Sequence, residues 1–196
     1  MKNTLDVLVG CEESQEVTAA FIALGDNAMS CDLYYPGAKG LPHYQGDVRE
    51  AIVMKQWDII VLHPPCTFTS ISGNRWYWKS PLRIEGARFC KDVWDLARKH
   101  CKHVALEQPK TIMQRYIGKR SQIIQPYQFG HGETKETWLW LWNLPELIPT
   151  DIVDGRVHRI WKMAPSKTRQ KDRSATYPGI ANAFAKQWSE YVKVRV

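Results

Sequence analysis

The chain has 196 residues, 44% of them hydrophobic and 24% charged, with a formal net charge of +7. That length suits one domain, residues 1–196, with a core of its own, and its apolar stretches are strand-length, which excludes a membrane span. Five cysteines, an odd number scattered singly at Cys11, Cys31, Cys66, Cys90 and Cys101, make no disulfide framework. Met1-Lys2-Asn3-Thr4 leads straight into a strand rather than a signal core, so a reducing cytoplasm is expected.

Residues 5–9 read as an apolar strand. The turn Gly10-Cys11-Glu12-Glu13-Ser14 then opens a helix with Val17, Ala20, Phe21 and Leu24 on one face, stopped at Gly25. Residues 28–31 make a second strand ending at Asp32, and a loop with Pro36, Gly37 and Gly40 follows, completing a β-α-β opening. His43 to Gly46 leads to Asp47, with a short helix beginning near Arg49. Trp57-Asp58-Ile59-Ile60-Val61-Leu62 is a buried strand by length and β-branched content. Residues 81–99 form an amphipathic helix with Ala87, Val93, Trp94 and Ala97 inward and Arg83, Arg88, Lys91, Arg98 and Lys99 largely outside that face. Residues 104–106 are a brief strand stopping at Glu107-Gln108-Pro109, and residues 112–117 a short helix. Residues 121–128 and 137–142 are the last strands, joined through Gly130-His131-Gly132-Glu133. Residues 143–176, with Pro145, Pro149 and Pro165, are expected to be mostly irregular, and a helix runs from Tyr177 to about Val192. His100-Cys101-Lys102-His103 holds metal-type donors without a second pair at ligand spacing, so no metal is expected.

Cys66 falls in the loop after the Val61-Leu62 strand, where parallel α/β sheets bind ligands. Pro64 and Pro65 stiffen that loop and fix the direction of the thiol. A free cysteine is usually a small buried residue, and the local sequence does not choose between that and chemistry. Asp32, Asp47 and Glu107 also fall at or near strand ends, so they and Cys66 rim one crevice. Asp32 and Asp47 suit the hydroxyls or exocyclic amine of a nucleoside-bearing cofactor; each taken alone reads rather as a helix cap, and the joint pattern is what points to a cofactor. The net positive charge favours an anionic partner, nucleic acid foremost. Arg156, Arg159, Lys162, Lys167, Arg169, Lys171 and Arg173, with Trp161 among them and only Asp172 opposed, read as phosphate contacts. Arg75-Trp76-Tyr77-Trp78-Lys79 is a stacking platform for bases, or core or interface packing.

In order, Gly46-Asp47-Val48, Pro65-Cys66 with Ser70, Glu107-Gln108-Pro109 and Pro178-Gly179-Ile180-Ala181-Asn182-Ala183 resemble the motifs of the cytosine-C5 DNA methyltransferases. Pro-Pro-Cys-Thr and Tyr-Pro-Gly-Ile-Ala are similar to the small phage-type members, nearly end to end. That resemblance implies a Rossmann-like α/β methyltransferase fold, mostly parallel with an antiparallel last strand. It implies S-adenosyl-L-methionine as cofactor, held by Gly10, Glu13, Asp32, Asp47, Pro64 and Asn182. Cys66 and Glu107 become the catalytic pair, and Pro65, Ser70, Arg75, Trp76, Lys135, Arg169 and Arg173 contact the substrate, DNA or a free cytosine nucleotide. The implied setting is a prokaryotic or phage-infected cytoplasm. Here the family's glycine-rich first loop is Gly10-Cys11-Glu12-Glu13-Ser14-Gln15, its Gln-x-Arg-x-Arg motif has only Lys135 and Thr137 in the matching region, and residues 143–176 are far shorter than a target-recognition domain. The same fold could therefore also be a non-catalytic nucleic-acid-binding protein. In the catalytic reading Cys66 is expected to ionise near neutrality and Glu107 to be raised by partial burial.

Overall fold

The computed structural model describes residues 2–166 and 169–195. Its centre is a seven-stranded sheet in the order β3-β2-β1-β4-β5-β7-β6. The strands are β1 (Asp6–Gly10), β2 (Asn27–Asp32), β3 (His43–Gln45), β4 (Ile59–Leu62), β5 (Val104–Pro109), β6 (Gln122–Ile124) and β7 (Thr137–Trp142). Strands β1 to β5 pair in parallel, and β7 runs antiparallel to both its neighbours. This is the expected Rossmann-like α/β architecture, including the antiparallel last strand.

The helices are α1 (Glu16–Ala23), α2 (Val48–Val53), α3 (Asn74–Tyr77), α4 (Pro81–His100), α5 (Gln114–Ile117), α6 (Arg159–Lys162), α7 (Arg169–Ser174) and α8 (Pro178–Lys193). Alternation along β1 sends Val7 and Val9 to one face and Leu8 to the other. The first face packs Phe21, Phe184 and Trp188 from α1 and α8; the second packs Ile52, Val93 and Trp94 from α2 and α4. Because both faces are covered, all four residues of β4 are buried, which is why it reads as a continuous apolar run. Gly179 opens α8 where a side chain cannot fit: a Cβ there would lie 1.9 Å from the Phe129 carbonyl oxygen. Among the described residues no helix is long and apolar enough to cross a membrane.

Several boundaries differ from the sequence reading. Leu24 lies beyond α1 and is exposed, because Gly25 turns the chain at φ 82°. Asp47 ends no strand; β3 stops at Gln45 and Asp47 is the N-cap of α2. Strand β5 continues through Glu107, Gln108 and Pro109, since β7 pairs along its whole length. Strand β6 is cut to three residues because Pro126 starts a 3-10 turn. Residues 143–176 hold two short helices, α6 and α7. Arg83 is buried on the inner side of α4 rather than outside it. Met1, Lys167 and the side chain of Trp161 lie outside the described residues.

Candidate active site

Five parallel strands deliver their carboxyl ends to one edge of the sheet, and Cys66 sits just past the end of β4. The turn that carries it is tied from several sides. Thr69 and Ser70 N–H donate to the Cys66 carbonyl at 3.2 and 2.9 Å, and Gln108 Nε2 donates to the Pro64 carbonyl. Arg83 Nη1 donates to the Phe68 carbonyl at 3.1 Å, and Thr111 Oγ1 to that of Thr69 at 2.9 Å. These bonds explain why Arg83 is inward: its guanidinium completes a loop carbonyl that would otherwise be buried unpaired. Pro64 is buried and Pro65 exposed. Ser70 is buried and its hydroxyl serves the chain, accepting from Ser72 N–H at 3.2 Å as a cap.

The next strand brings Glu107 beside this loop. Glu107 Oε2 lies 3.0 Å from His63 Nδ1, and the two side chains are only 14% and 11% exposed. A narrow cleft lined by Glu107, Lys135, Thr137, Thr176, Tyr177 and Ile180 opens next to them. Lys135 donates to the Ala175 carbonyl at 3.2 Å, and its ammonium lies 5.7 Å from the Tyr177 ring centre. Lys135 and Thr137 therefore stand beside Glu107, although their sequence spacing identified them only loosely.

The electrostatics correct two expectations. Burial works to raise the Glu107 carboxyl, but the hydrogen bond and charge of His63, with Lys135, outweigh it and hold the group below its ordinary range. Burial, then the Glu107 charge, push the Cys66 thiol above its ordinary range, while Lys135 and Arg173 oppose them. Both directions run against the catalytic reading, which expects a thiolate at Cys66 and a carboxylic acid at Glu107. Burial also draws the Lys135 ammonium below its ordinary range, against Glu107 and Cys66. Cys31 and Cys90 are pushed to about 12, and Cys101 to about 11, chiefly by burial. Cys66 differs from these in being half-buried and flanked by two cationic side chains.

The other half of the edge lies beyond β1, β2 and β3. A Cβ at Gly10 would meet Val48 Cγ2 at 2.6 Å, so glycine serves the packing of β1 on α2. After it Cys11 and Gln15 take positive φ of 60° and 56°, conformations that favour glycine, with no glycine at either position. Glu12 is buried and its carboxylate accepts from Val17 N–H at 2.7 Å and from the Thr18 hydroxyl at 2.6 Å. Asp32 Oδ1 accepts from Tyr34 and Tyr35 N–H at 2.9 and 3.2 Å. Asp47 accepts from Arg49 N–H at 2.9 Å and pairs with the Arg49 guanidinium.

The basic segment crosses above both halves. Lys171 Nζ pairs with Glu13 Oε1 at 2.7 Å, and Arg173, on the same helix, adds positive charge near Cys66 and Lys135. Arg159 pairs with Glu133 at 2.8 Å, and Tyr177 Oη donates to that carboxylate at 2.6 Å. Arg159 and Lys171 therefore meet acids distant in sequence, beyond the Asp172 the sequence offered. Arg169 is half-buried, with Nε unpaired among the described residues. Asn182 is exposed on α8. Trp76 and Trp78 are 73% and 68% exposed, with Arg75 and Lys79 over their rings at 5.2 Å. That exposure excludes core packing for these two rings and leaves a platform or an interface. A groove lined by Trp78, Lys79, Ile84, Arg115 and Tyr116 begins beside them. Among the described residues no cluster of His, Cys, Asp or Glu is placed to hold a metal ion.

The sequence reading missed His63, Tyr177 and the buried role of Arg83. His63 had a signal: it precedes Pro-Pro-Cys at the end of a buried strand, the place where polar side chains point into the crevice.

No protein-family model and no curated protein matches the sequence. Among solved structures, the bifunctional kinase-methyltransferase WbdD is similar at 11% identity and a TM-score of 0.47, over 74% of this chain and 36% of that one. The S. pombe Dnmt2 methyltransferase is similar at 13% identity and a TM-score of 0.45, over 83% of this chain and 55% of that one. The chain thus spans between about a third and just over half of those proteins. Both likenesses are distant, and the functional reading below stands on the chain's own residues.

Proposed function

We propose that this protein transfers a methyl group from S-adenosyl-L-methionine to carbon 5 of cytosine in DNA, through a transient bond from Cys66 to the base. The observation that carries it is a half-buried thiol in a stiffened loop beside an enclosed carboxylate and two cations, at the ends of neighbouring strands. Carbon 5 of cytosine is a poor nucleophile, and covalent addition at carbon 6 solves this. The Cys66 S–H bond breaks, its proton passing to solvent. The Sγ–C6 bond forms while Glu107, protonated once the base is bound, delivers a proton to ring N3, and the enamine so formed makes carbon 5 nucleophilic. After methylation a base removes the carbon-5 proton, the Sγ–C6 bond breaks, and N3 returns its proton to Glu107. Lys135 and Arg173 favour the thiolate that this requires.

When bound, S-adenosylmethionine supplies an electrophilic methyl group. Asp32 at the end of β2 and Asp47 at the N-cap of α2 would accept from its nucleoside, and the turn through Cys11 and Gln15 would lie against it. The positive-φ turn is the feature that fits such a ligand. Arg169, Arg75, Trp76 and the groove beyond Trp78 would hold the DNA strand through phosphate contacts and stacking, and a base in a duplex would have to be flipped out at a cost of a few kcal/mol.

A second reading, non-catalytic nucleic-acid binding, has one observation in its favour: Gln15 fills the first loop, bonding to Ser30 Oγ at 2.9 Å and Lys39 N–H at 2.8 Å. Incubation with labelled S-adenosylmethionine and duplex DNA, single-stranded DNA or dCMP separates the readings. Label in DNA that is lost in Cys66→Ala supports the first. Label in dCMP alone moves the substrate to the free nucleotide, and DNA binding without cofactor binding supports the second.

A further inference from the structure

His63 precedes the two prolines of the Cys66 loop, and its place is set by the backbone. Its N–H donates to the Gly10 carbonyl at 2.9 Å, and the Gln108 to Pro64 bond joins the residue after Glu107 to the residue after His63. The Nδ1 to Glu107 contact at 3.0 Å is therefore a product of the β4–β5 register and not of a mobile side chain. The second ring nitrogen, Nε2, is buried and has no partner among the described residues.

That combination has a chemical consequence. In a buried histidine the bond made by one ring nitrogen normally fixes the proton on the other. Here nothing holds Nε2, so Nδ1 can donate to an ionised Glu107 or accept from a protonated one in the same geometry. The other ionisable groups around the pair are Cys66 in the same loop, Lys135 ahead of β7, Arg173 on α7 and Tyr177 ahead of α8. Among these side-chain types only imidazole ordinarily titrates near neutral pH.

We propose that His63 is the positioning residue that hands Glu107 the proton used at the base and takes it back. The inference rests on the cytosine reading above and names the source of its proton. The imidazolium Nδ1–H bond breaks as the proton moves to Glu107, and the carboxyl passes a proton to ring N3 as the Sγ–C6 bond forms. When that bond breaks the proton returns by the same route, so charge and protons balance over the cycle without an oxidant or reductant.

Single-turnover transfer at saturating labelled S-adenosylmethionine and duplex DNA, followed from pH 5.5 to 8.5, tests it in wild type and His63→Gln. Glutamine keeps a donor toward Glu107 but cannot titrate. The wild-type rate is expected to fall on the alkaline side of the imidazole range, as the imidazolium that supplies the proton is lost. His63→Gln should be about tenfold or more slower and lack that inflection. An unchanged rate profile in His63→Gln overturns the role of His63 alone. A wild type that labels no cytosine overturns the cytosine reading and this inference with it.

Discussion

At the ends of β1, β2 and β3 the acidic side chains hold backbone N–H groups, whereas at the ends of β4 and β5 they face other ionisable side chains. Glu12 closes the first turn of α1, Asp32 closes the turn after β2, and Asp47 caps α2. Each bond there satisfies a donor that the fold itself leaves open. Across the edge, Glu107 meets His63 and Lys135, the Cys66 thiol is raised, and His63 Nε2 lacks a partner. One half is therefore nearly complete as a structure, while the other keeps groups that would gain from a ligand. Truncations should separate the two: losses of chemistry on the β4–β5 side, losses of stability on the β1–β3 side.

The largest expected effect is that of Cys66→Ala. Transfer should fall by on the order of 10³-fold or more, since no other group takes the nucleophile's place, while the melting temperature barely moves. Mass spectrometry of the complex with 5-fluorocytosine DNA checks it directly, because a covalent adduct that survives the substitution would end the role assigned to the thiol.

Next comes Glu107→Gln, which should slow transfer by about 10²- to 10⁴-fold. It carries a second sign. The Glu107 charge pushes the Cys66 thiol up, so removing it should lower the thiol's titration and raise alkylation by iodoacetamide near pH 8. Lys135→Met should act oppositely, because the ammonium pulls the thiol down. An alkylation profile unchanged in both variants would mean that the three groups are not electrostatically linked.

How far the sequence reached follows the same division. Strand β4 was legible because four consecutive apolar residues leave few alternatives, and Cys66 followed from its place after them. Glu107 was legible through the motif it shares with a known family. Its contact with His63 was not, because it depends on the register Leu62 to Leu106 between strands far apart in sequence. The reach of β5 to Pro109 was hidden for the same reason: its partner β7 lies some thirty residues later. The direction of the Glu107 shift was missed because burial alone was weighed, and burial is one of several opposed contributions. Arg83 shows a further limit, since a helical pattern reports which positions face inward on average but not that a loop carbonyl waits there for a cation.

On the β1–β3 side the larger effect should come from Glu12→Ala. It leaves Val17 N–H and the Thr18 hydroxyl without the buried carboxylate that accepts from them, at a cost of about 2 kcal/mol. A fall of roughly 4 to 8 °C in melting temperature is expected for a chain of this size. A smaller fall would mean that the first turn of α1 finds other acceptors.

The smallest effect is the most discriminating, because Asp47 was assigned to the cofactor and the fold uses it as a cap. Asparagine caps about as well as aspartate, whereas alanine loses about 1 kcal/mol. Asp47→Asn should therefore melt within a degree or two of wild type and Asp47→Ala about 2 to 4 °C lower. The exposed pair with Arg49 adds little to either difference. If the carboxylate also receives the nucleoside of S-adenosylmethionine, both variants should bind that cofactor about tenfold more weakly by calorimetry, a loss of about 1.4 kcal/mol. Affinity that tracks melting temperature instead, falling in the alanine variant and unchanged in the asparagine one, would leave Asp47 as a cap only and put recognition of the nucleoside on Asp32.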